Sequence, residues 1–204
     1  MERNRSGQPF LFVGNHLCLD FINTQMIVQG QRTDLLKEWT DLLAWLVRAK
    51  LLSVGEGKET VARLDRAEGE LLLHEAKMFR TVLREMAERI VAGKPITRST
   101  VEAINKLLSQ RPGYPQLIRT NGRFGRRFHS ETSGATQLLV PLAEAASELL
   151  CAGALSLVKK CRNDACILYF YDTTKNHARQ WCSMGLCGNR MKVAAHYNRH
   201  RAKS

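Results

Sequence analysis

Four of the six cysteines of the chain fall within 27 residues of one another. They form two pairs of equal spacing, Cys161 with Cys166 and Cys182 with Cys187, and 15 residues separate the pairs. Two half-sites joined by a loop of this length are typical of sites with four thiolate ligands. Zinc suits such a sulfur-rich tetrahedral site, which has no open coordination position when four protein ligands fill it. The sequence therefore predicts one structural Zn²⁺ per chain and no zinc catalysis.

The same residues allow two other interpretations, the scattered cysteines of an ordinary core or a redox dithiol. Redox chemistry usually needs two close thiols, one of them with a lowered pKa, and not four thiols in matched pairs. The other two cysteines, Cys18 and Cys151, have apolar neighbours and are interpreted as packed thiols. The aromatic run from Tyr169 to Tyr171 lies between the pairs and is interpreted as the small core of this region.

Positive charge is concentrated in the same part of the chain. The sequence has 31 Lys and Arg against 19 Asp and Glu, a net charge of +12. Residues 159–204 hold ten of the basic and two of the acidic residues, so they carry +8, while residues 1–158 carry +4. Zinc with four thiolates contributes −2, which leaves roughly +6 on this segment. Such a distribution favours a polyanionic partner, although basic tails also serve solubility.

A basic helix is expected directly after the last cysteine. Asn189 has a suitable side chain for the N-cap of a helix that runs from Arg190 towards Arg201. Positive charges in a first turn oppose the helix dipole, so they serve either to balance the metal site or to contact phosphates and bases. The partner is predicted to be nucleic acid, duplex DNA before RNA, and the residues predicted to face it are Arg179, Asn189, Arg190, Lys192, His196 and Arg199.

The rest of the chain must position this segment. The composition, 44% hydrophobic and 25% charged, is that of a globular protein. Apolar residues recur every three or four positions over most of 34–110 and predict amphipathic helices, with Gly69 as a possible break within 59–92. Asn121-Gly122 between two apolar stretches predicts a β-hairpin, and a helix over 138–160 is expected to lead into the cysteines.

The fold class that follows is mainly α with one β-hairpin. An α-helical N-terminal domain, residues 1–158, is expected to precede a small C-terminal four-cysteine zinc finger with a basic helix, residues 159–204. Residues 138–158 are long and apolar enough to span a bilayer, but Glu144 and Glu148 each make insertion costly by a few kcal/mol. We therefore expect no membrane partner. The polar residues 1–9 do not form a signal peptide, and a reducing cytoplasm is the expected location.

The region around the cysteines resembles the bacterial CGNR zinc-finger family. The family is named for the tetrapeptide found here at 187–190, and the stretch Arg-x-Trp-Cys-Ser-Met before it also matches. Members usually begin with a helical ABATE domain, whose signature Leu-Asp-Phe-x-Asn-Thr is similar to residues 19–24. Thr174 stands where the family more often has serine. The resemblance implies a one-component transcription regulator, described as stress-induced, in which the finger reads DNA.

Several roles stay open. Asp20 and Asn23 are candidates for sensing a ligand, or they form caps and turn hydrogen bonds that fix the N-terminal segment. The N-terminal domain could sense an effector that the resemblance does not identify, or form a homodimer. For the whole chain the alternatives are an RNA-binding zinc-ribbon-like protein and a thiol-based zinc redox sensor. The sequence contains no phosphate loop, G-x-S-x-G elbow or H-E-x-x-H motif, so an enzyme is not expected.

Overall fold

The computed structural model describes residues 10–110, 113–120, 123–130 and 134–194. Its α-helices are α1 (Leu17–Ile22), α2 (Trp39–Arg48), α3 (Val54–Arg63), α4 (Arg66–Val91), α5 (Arg98–Leu108) and α6 (Val140–Ala152). Its strands are β1 (Gln25–Val28), β2 (Gln31–Asp34), β3 (Gly113–Thr120), β4 (Arg123–Ser130), β5 (Val158–Lys160) and β6 (Tyr169–Tyr171). Short 3₁₀ turns precede α6 and β5.

The 26-residue helix α4 is the centre of the structure, with α1, α2 and α5 against it. The core between them contains the fully buried side chains of Phe21, Trp45, Leu83 and Met86. These side chains come from three separate helices, and each helix presents an apolar stripe to the others. The amphipathic helices expected over 34–110 thus form one continuous hydrophobic core.

The helical region 59–92 is interrupted at a different place from the one expected. The break lies at Leu64 and Asp65, because Asp65 is the N-cap of α4 and exchanges two hydrogen bonds with Glu68, of 2.8 and 3.0 Å. Gly69, the expected break, lies inside α4. A Cβ atom there would come within 2.5 Å of the Trp39 ring, so this glycine allows close packing and does not end the helix.

The described residues form three two-stranded antiparallel sheets. The expected hairpin is β3 with β4, paired from Gly113 with Ser130 to Thr120 with Arg123, while its turn residues lie outside the described residues. The pairs β1–β2 and β5–β6 were not predicted, because three or four residues give too short a pattern to recognise. The mainly helical fold class with a hairpin is confirmed.

The helix expected over 138–160 is wrong in its second half. Helix α6 ends at Ala152, and Gly153 continues in an extended conformation with its Cα so close to the Leu149 carbonyl that a Cβ would lie 2.4 Å from the oxygen. Val158–Lys160 then forms β5.

Cys151 is exposed near the end of α6, so its interpretation as a packed thiol is also wrong. Among the residues described, no helix has both the length and the apolar character needed to cross a membrane.

The cysteine-rich segment packs directly on the helical body. Tyr169 belongs to the large core of the body, whereas Phe170 belongs to a second cluster around the cysteines. Leu11 and Val13, from the start of the described chain, also pack against that second cluster. The aromatic run is therefore divided between the two cores and is not the core of an independent finger.

Candidate metal centre

The four cysteines of the two C-x4-C pairs converge on one point. Their sulfur atoms all lie within 4.8 Å of one another, and all four residues are buried. Four ligands at a metal–sulfur distance of about 2.3 Å and tetrahedral angles are about 3.8 Å apart, and the sulfurs of Cys166 and Cys182 are 3.9 Å apart. The arrangement fits a tetrahedral metal ion with four sulfur ligands.

The first pair of ligands is held by a turn after β5. The N–H of Cys161 donates to the carbonyl of Leu168 at 2.9 Å, and the N–H of Cys166 donates to the carbonyl of Asn163 at 2.8 Å. The Asn163 side chain accepts from the N–H of Ala165 at 3.1 Å, which tightens the turn. Its Nδ2 also donates to the sulfur of Cys187 at 3.3 Å, so one asparagine connects the two half-sites.

Asn163 is a functional residue that the sequence analysis missed. In the sequence, Asn163 is only an asparagine two residues after a ligand, and asparagine is a common residue in turns. Its contact with Cys187 crosses to the other half-site and has no local signature. Groups that donate hydrogen bonds to metal ligands orient those ligands and adjust their affinity for the metal.

The second pair of ligands is positioned by the start of a helix. Ser183 caps it, accepting at Oγ from the N–H of Leu186 at 3.0 Å. A π-helical turn, Met184–Gly188, places Cys187, and the chain continues as an α-helix over 189–194. Asn189 was expected to cap this helix, but that prediction is wrong. Because Ser183 is the N-cap, Asn189 and Arg190 lie beyond the first turn, where the dipole argument against basic residues does not apply.

Hydrogen bonds among the sulfur atoms shift the pKa values of the cysteines in opposite directions. Side-chain hydrogen bonds from Cys166 and Cys182 lower the pKa of Cys161 to about 2, while hydrogen bonding to Cys161 raises the pKa of both donors, that of Cys166 to about 12. The backbone N–H of Cys182 also donates to the sulfur of Cys161 at 3.4 Å. Four thiolates within 4.8 Å of one another would repel, and a cation between them would offset that repulsion.

Arg179 was predicted to face nucleic acid, but its guanidinium group is used inside the structure. It donates to the carbonyls of Trp181 at 3.0 Å, Val13 at 2.7 Å and Cys182, and it lies 4.1 Å from the centre of the Phe170 ring. These contacts fix the chain that enters the second ligand pair and attach it to the start of the described chain. The other predicted contacts Asn189, Arg190 and Lys192 are exposed, whereas His196 and Arg199 lie outside the described residues.

The loop between the half-sites is organised by Asp172, which is fully buried. Its carboxylate accepts from Nζ of Lys159 at 2.6 Å, from the N–H and hydroxyl of Thr174 at 3.0 and 2.6 Å, and from the N–H of Arg179 at 2.9 Å. Burial alone would raise the pKa of Asp172, but these donors outweigh burial and hold the pKa well below its usual range. One of the two acidic residues of the segment is thus neutralised internally.

Asp20 and Asn23, the candidates for ligand sensing, form hydrogen bonds within the chain. Asp20 accepts from the N–H of Gly14 at 2.7 Å, and burial raises the pKa of its carboxyl group to about 6. Asn23 is fully buried and bonds twice to the backbone of Tyr169: its Nδ2 donates to the carbonyl at 2.8 Å, and its Oδ1 accepts from the N–H at 3.0 Å. The two Asn23 bonds attach the N-terminal signature to β6, and the Asp20 bond fixes the chain at Gly14.

Comparison with protein families gives two matches that together span most of the chain. Residues 15–153 match the model of the ABATE family, described as "Putative stress-induced transcription regulator". Residues 158–200 match the model of the CGNR zinc finger, which includes all four clustered cysteines. No curated protein matches the chain.

Proposed function

The chain belongs to the ABATE family and ends in a CGNR zinc finger, and from this premise we propose that it is a zinc-dependent DNA-binding transcription regulator, not an enzyme. The observation that carries the proposal is the exposed basic surface around a closed four-sulfur site. Reduced thiolates are needed to bind the metal, which agrees with action in the cytoplasm.

The metal is proposed to be one Zn²⁺ per chain, held by the four cysteines. With all four positions filled by protein ligands, it supplies folding free energy and no Lewis-acid chemistry. The sulfur separation agrees with this ion, and the two hydrogen bonds to sulfur, from Asn163 and from the backbone of Cys182, support thiolate ligands. Elemental analysis of the purified protein should give one zinc per chain, and the absence of bound zinc would contradict the assignment.

The DNA-binding surface is proposed to consist of basic residues that the finger leaves exposed. Two basic side chains of the segment are used internally, Lys159 on Asp172 and Arg179 on backbone carbonyls. Within the described part of the finger, the acidic residue that remains exposed is Asp164. The surface therefore has a strong excess of positive charge, contributed by Lys160, Arg162, Lys175, Arg190 and Lys192.

Salt dependence of binding tests this surface. Affinity for a labelled duplex, measured by fluorescence anisotropy, should fall linearly with salt on a logarithmic plot. Arg190→Ala and Lys192→Ala should each reduce that slope by about one. Arg98→Ala is the matched control, because Arg98 is 92% exposed on α5, outside the finger, and its removal takes away the same charge. An unchanged slope in both finger variants would refute the proposed surface.

Competition with RNA separates the proposal from the RNA-binding alternative. A duplex RNA and a single-stranded RNA of the same length should displace labelled DNA only weakly from the zinc-loaded protein. Stronger binding of either RNA would replace the DNA-binding proposal with the RNA-binding one.

A further inference from the structure

A stripe of apolar side chains on α4 is left uncovered. Leu71 and Met78 are 58% and 57% exposed, and residues seven apart on an α-helix lie nearly in line. His74 and Glu75 lie between them on the same face, beside a groove of about 350 Å³ between α4 and α5. The two exposed apolar side chains and the groove beside them make this face a candidate surface for a protein–protein contact.

The groove contains polar atoms that lack a partner. In the part of the chain that the structure describes, Oε2 of Glu75 and Oε1 of Gln110 are buried without a hydrogen bond. Both line the groove, and both are acceptors. Both oxygens are closed to water, so a donor from a partner reaches them only when the Glu75 and Gln110 side chains turn towards the opening of the groove.

We propose that this face binds the same face of a second copy of the chain, with the two α4 helices antiparallel. A two-fold axis passes between residues 74 and 75. A residue that lies before the axis on one helix is then opposite the residue that lies equally far after the axis on the other helix. Leu71 of one copy then faces Met78 of the other, and a turn further out Ala67 faces Val82. At the centre, His74 of each copy faces the Glu75 side chain of the other, so a hydrogen-bond donor lies opposite a carboxylate.

This self-complementarity identifies the second copy as the occupant. Each apolar residue of the stripe meets an apolar residue, and the Glu75 carboxylate lies opposite the His74 imidazole, which can donate a hydrogen bond. The pattern follows from the order of four residues on one helix face: Leu71, His74, Glu75 and Met78. When a second helix runs in the opposite direction, the outer two residues pair as apolar with apolar, and the inner two pair as histidine with glutamate. A second copy presents this reversed order by symmetry, whereas a partner of unrelated sequence has no reason to present it.

Sedimentation of the full-length zinc-loaded protein without DNA tests the proposal. The parent should show a concentration-dependent dimer between about 1 and 100 µM, and Leu71→Glu should raise the dissociation constant at least about tenfold. Val91→Glu is the matched control, because Val91 is 43% exposed on the same helix but turned away from the stripe. A parent that stays monomeric over this range, or a control that weakens the dimer equally, would overturn the proposal.

A charge-exchange experiment tests the pairing itself. Glu75→Lys should weaken the dimer because it places a cation opposite His74, and His74→Glu should weaken it because it places a carboxylate opposite Glu75. The double variant restores opposite charges and should return the dissociation constant to within about threefold of the parent. If the double variant associates no better than the single variants, the antiparallel pairing is wrong. None of these measurements involves DNA, so their failure is distinguishable from that of the proposed function.

Discussion

Replacing Asn23 by alanine removes the two hydrogen bonds that join α1 to β6. The Asn23 side chain is fully buried, and its amide group bonds to both the N–H and the carbonyl of Tyr169. Tyr169 is itself 3% exposed, so water has little access to its backbone once the amide is gone. Both backbone groups would then be buried without a partner.

The magnitude follows from those two orphaned groups. Each buried backbone donor or acceptor that loses its partner costs about 1–3 kcal/mol. Asn23→Ala should therefore lower the free energy of unfolding by about 2–6 kcal/mol, a large part of the total stability of an ordinary domain. Because Tyr169 follows the ligand Cys166 by three residues, the loss should also reach the metal centre and accelerate zinc transfer to a chelator.

Denaturant unfolding of the zinc-loaded protein, followed by far-UV circular dichroism, measures the effect. Asn105→Ala is the control, since Asn105 is exposed on α5 and alanine favours helix there. A loss below about 1 kcal/mol in Asn23→Ala would refute the reasoning, because two buried orphaned groups cannot cost so little. Amide hydrogen exchange at Tyr169, which should become faster in the variant, locates the loss.

Three further predictions concern the metal and a buried ion pair. Asn163→Ala removes a donor to the sulfur of Cys187 and should weaken zinc binding about 10- to 100-fold in competition with a chromophoric chelator. Removal of zinc by a chelator should abolish salt-sensitive DNA binding while most of the helical circular dichroism remains, and DNA binding that survives would contradict the proposed role of the finger. Asp34→Asn leaves Arg80, whose side chain is 3% exposed, without its ion pair and should cost about 3–5 kcal/mol in unfolding experiments. Burial raises the pKa of Asp34, but Arg80, the N–H of Leu36 and the charge of Lys77 together lower it further than burial raises it. The stability that the pair contributes above the usual pKa should therefore disappear as pH falls through the lowered value. The variant should lack this acid-side loss.

The metal centre was predictable because its information is local. Two pairs of cysteines with equal spacing identify four ligands, and the structure brings their sulfurs together. The hairpin was predictable for the same reason, since Asn-Gly between apolar stretches is a short-range signal. The error over the second half of the 138–160 helix shows the limit of periodicity: a helical pattern continues past Gly153, whereas the backbone there is extended.

Other residues could not be assigned because their partners are distant in sequence. Asn23 bonds to a residue 146 positions away, and the Val13 carbonyl that Arg179 contacts is 166 positions away. Composition and local spacing carry no information on such contacts. Arg179 looked like a phosphate ligand because it is a cation in a basic segment, and its carbonyl partners become apparent only in the folded chain. Asn189 was misassigned because the helix begins earlier, at the Ser183 cap.

The packing of Leu11 and Val13 against the cysteine cluster also determines when the finger can form during synthesis. Cys187 is translated more than 170 residues after them. The carbonyl of Gly14 accepts from the N–H of Tyr171 at 2.7 Å, and the carbonyl of Val13 accepts from the Arg179 guanidinium group. Neither hydrogen bond can form before Tyr171 and Arg179 have left the ribosome. Until Cys187 leaves the ribosome, the early segment has no completed site to pack against. Metal capture therefore follows the synthesis of Cys187, and the same step that closes the metal site secures the segment that contains Leu11 and Val13.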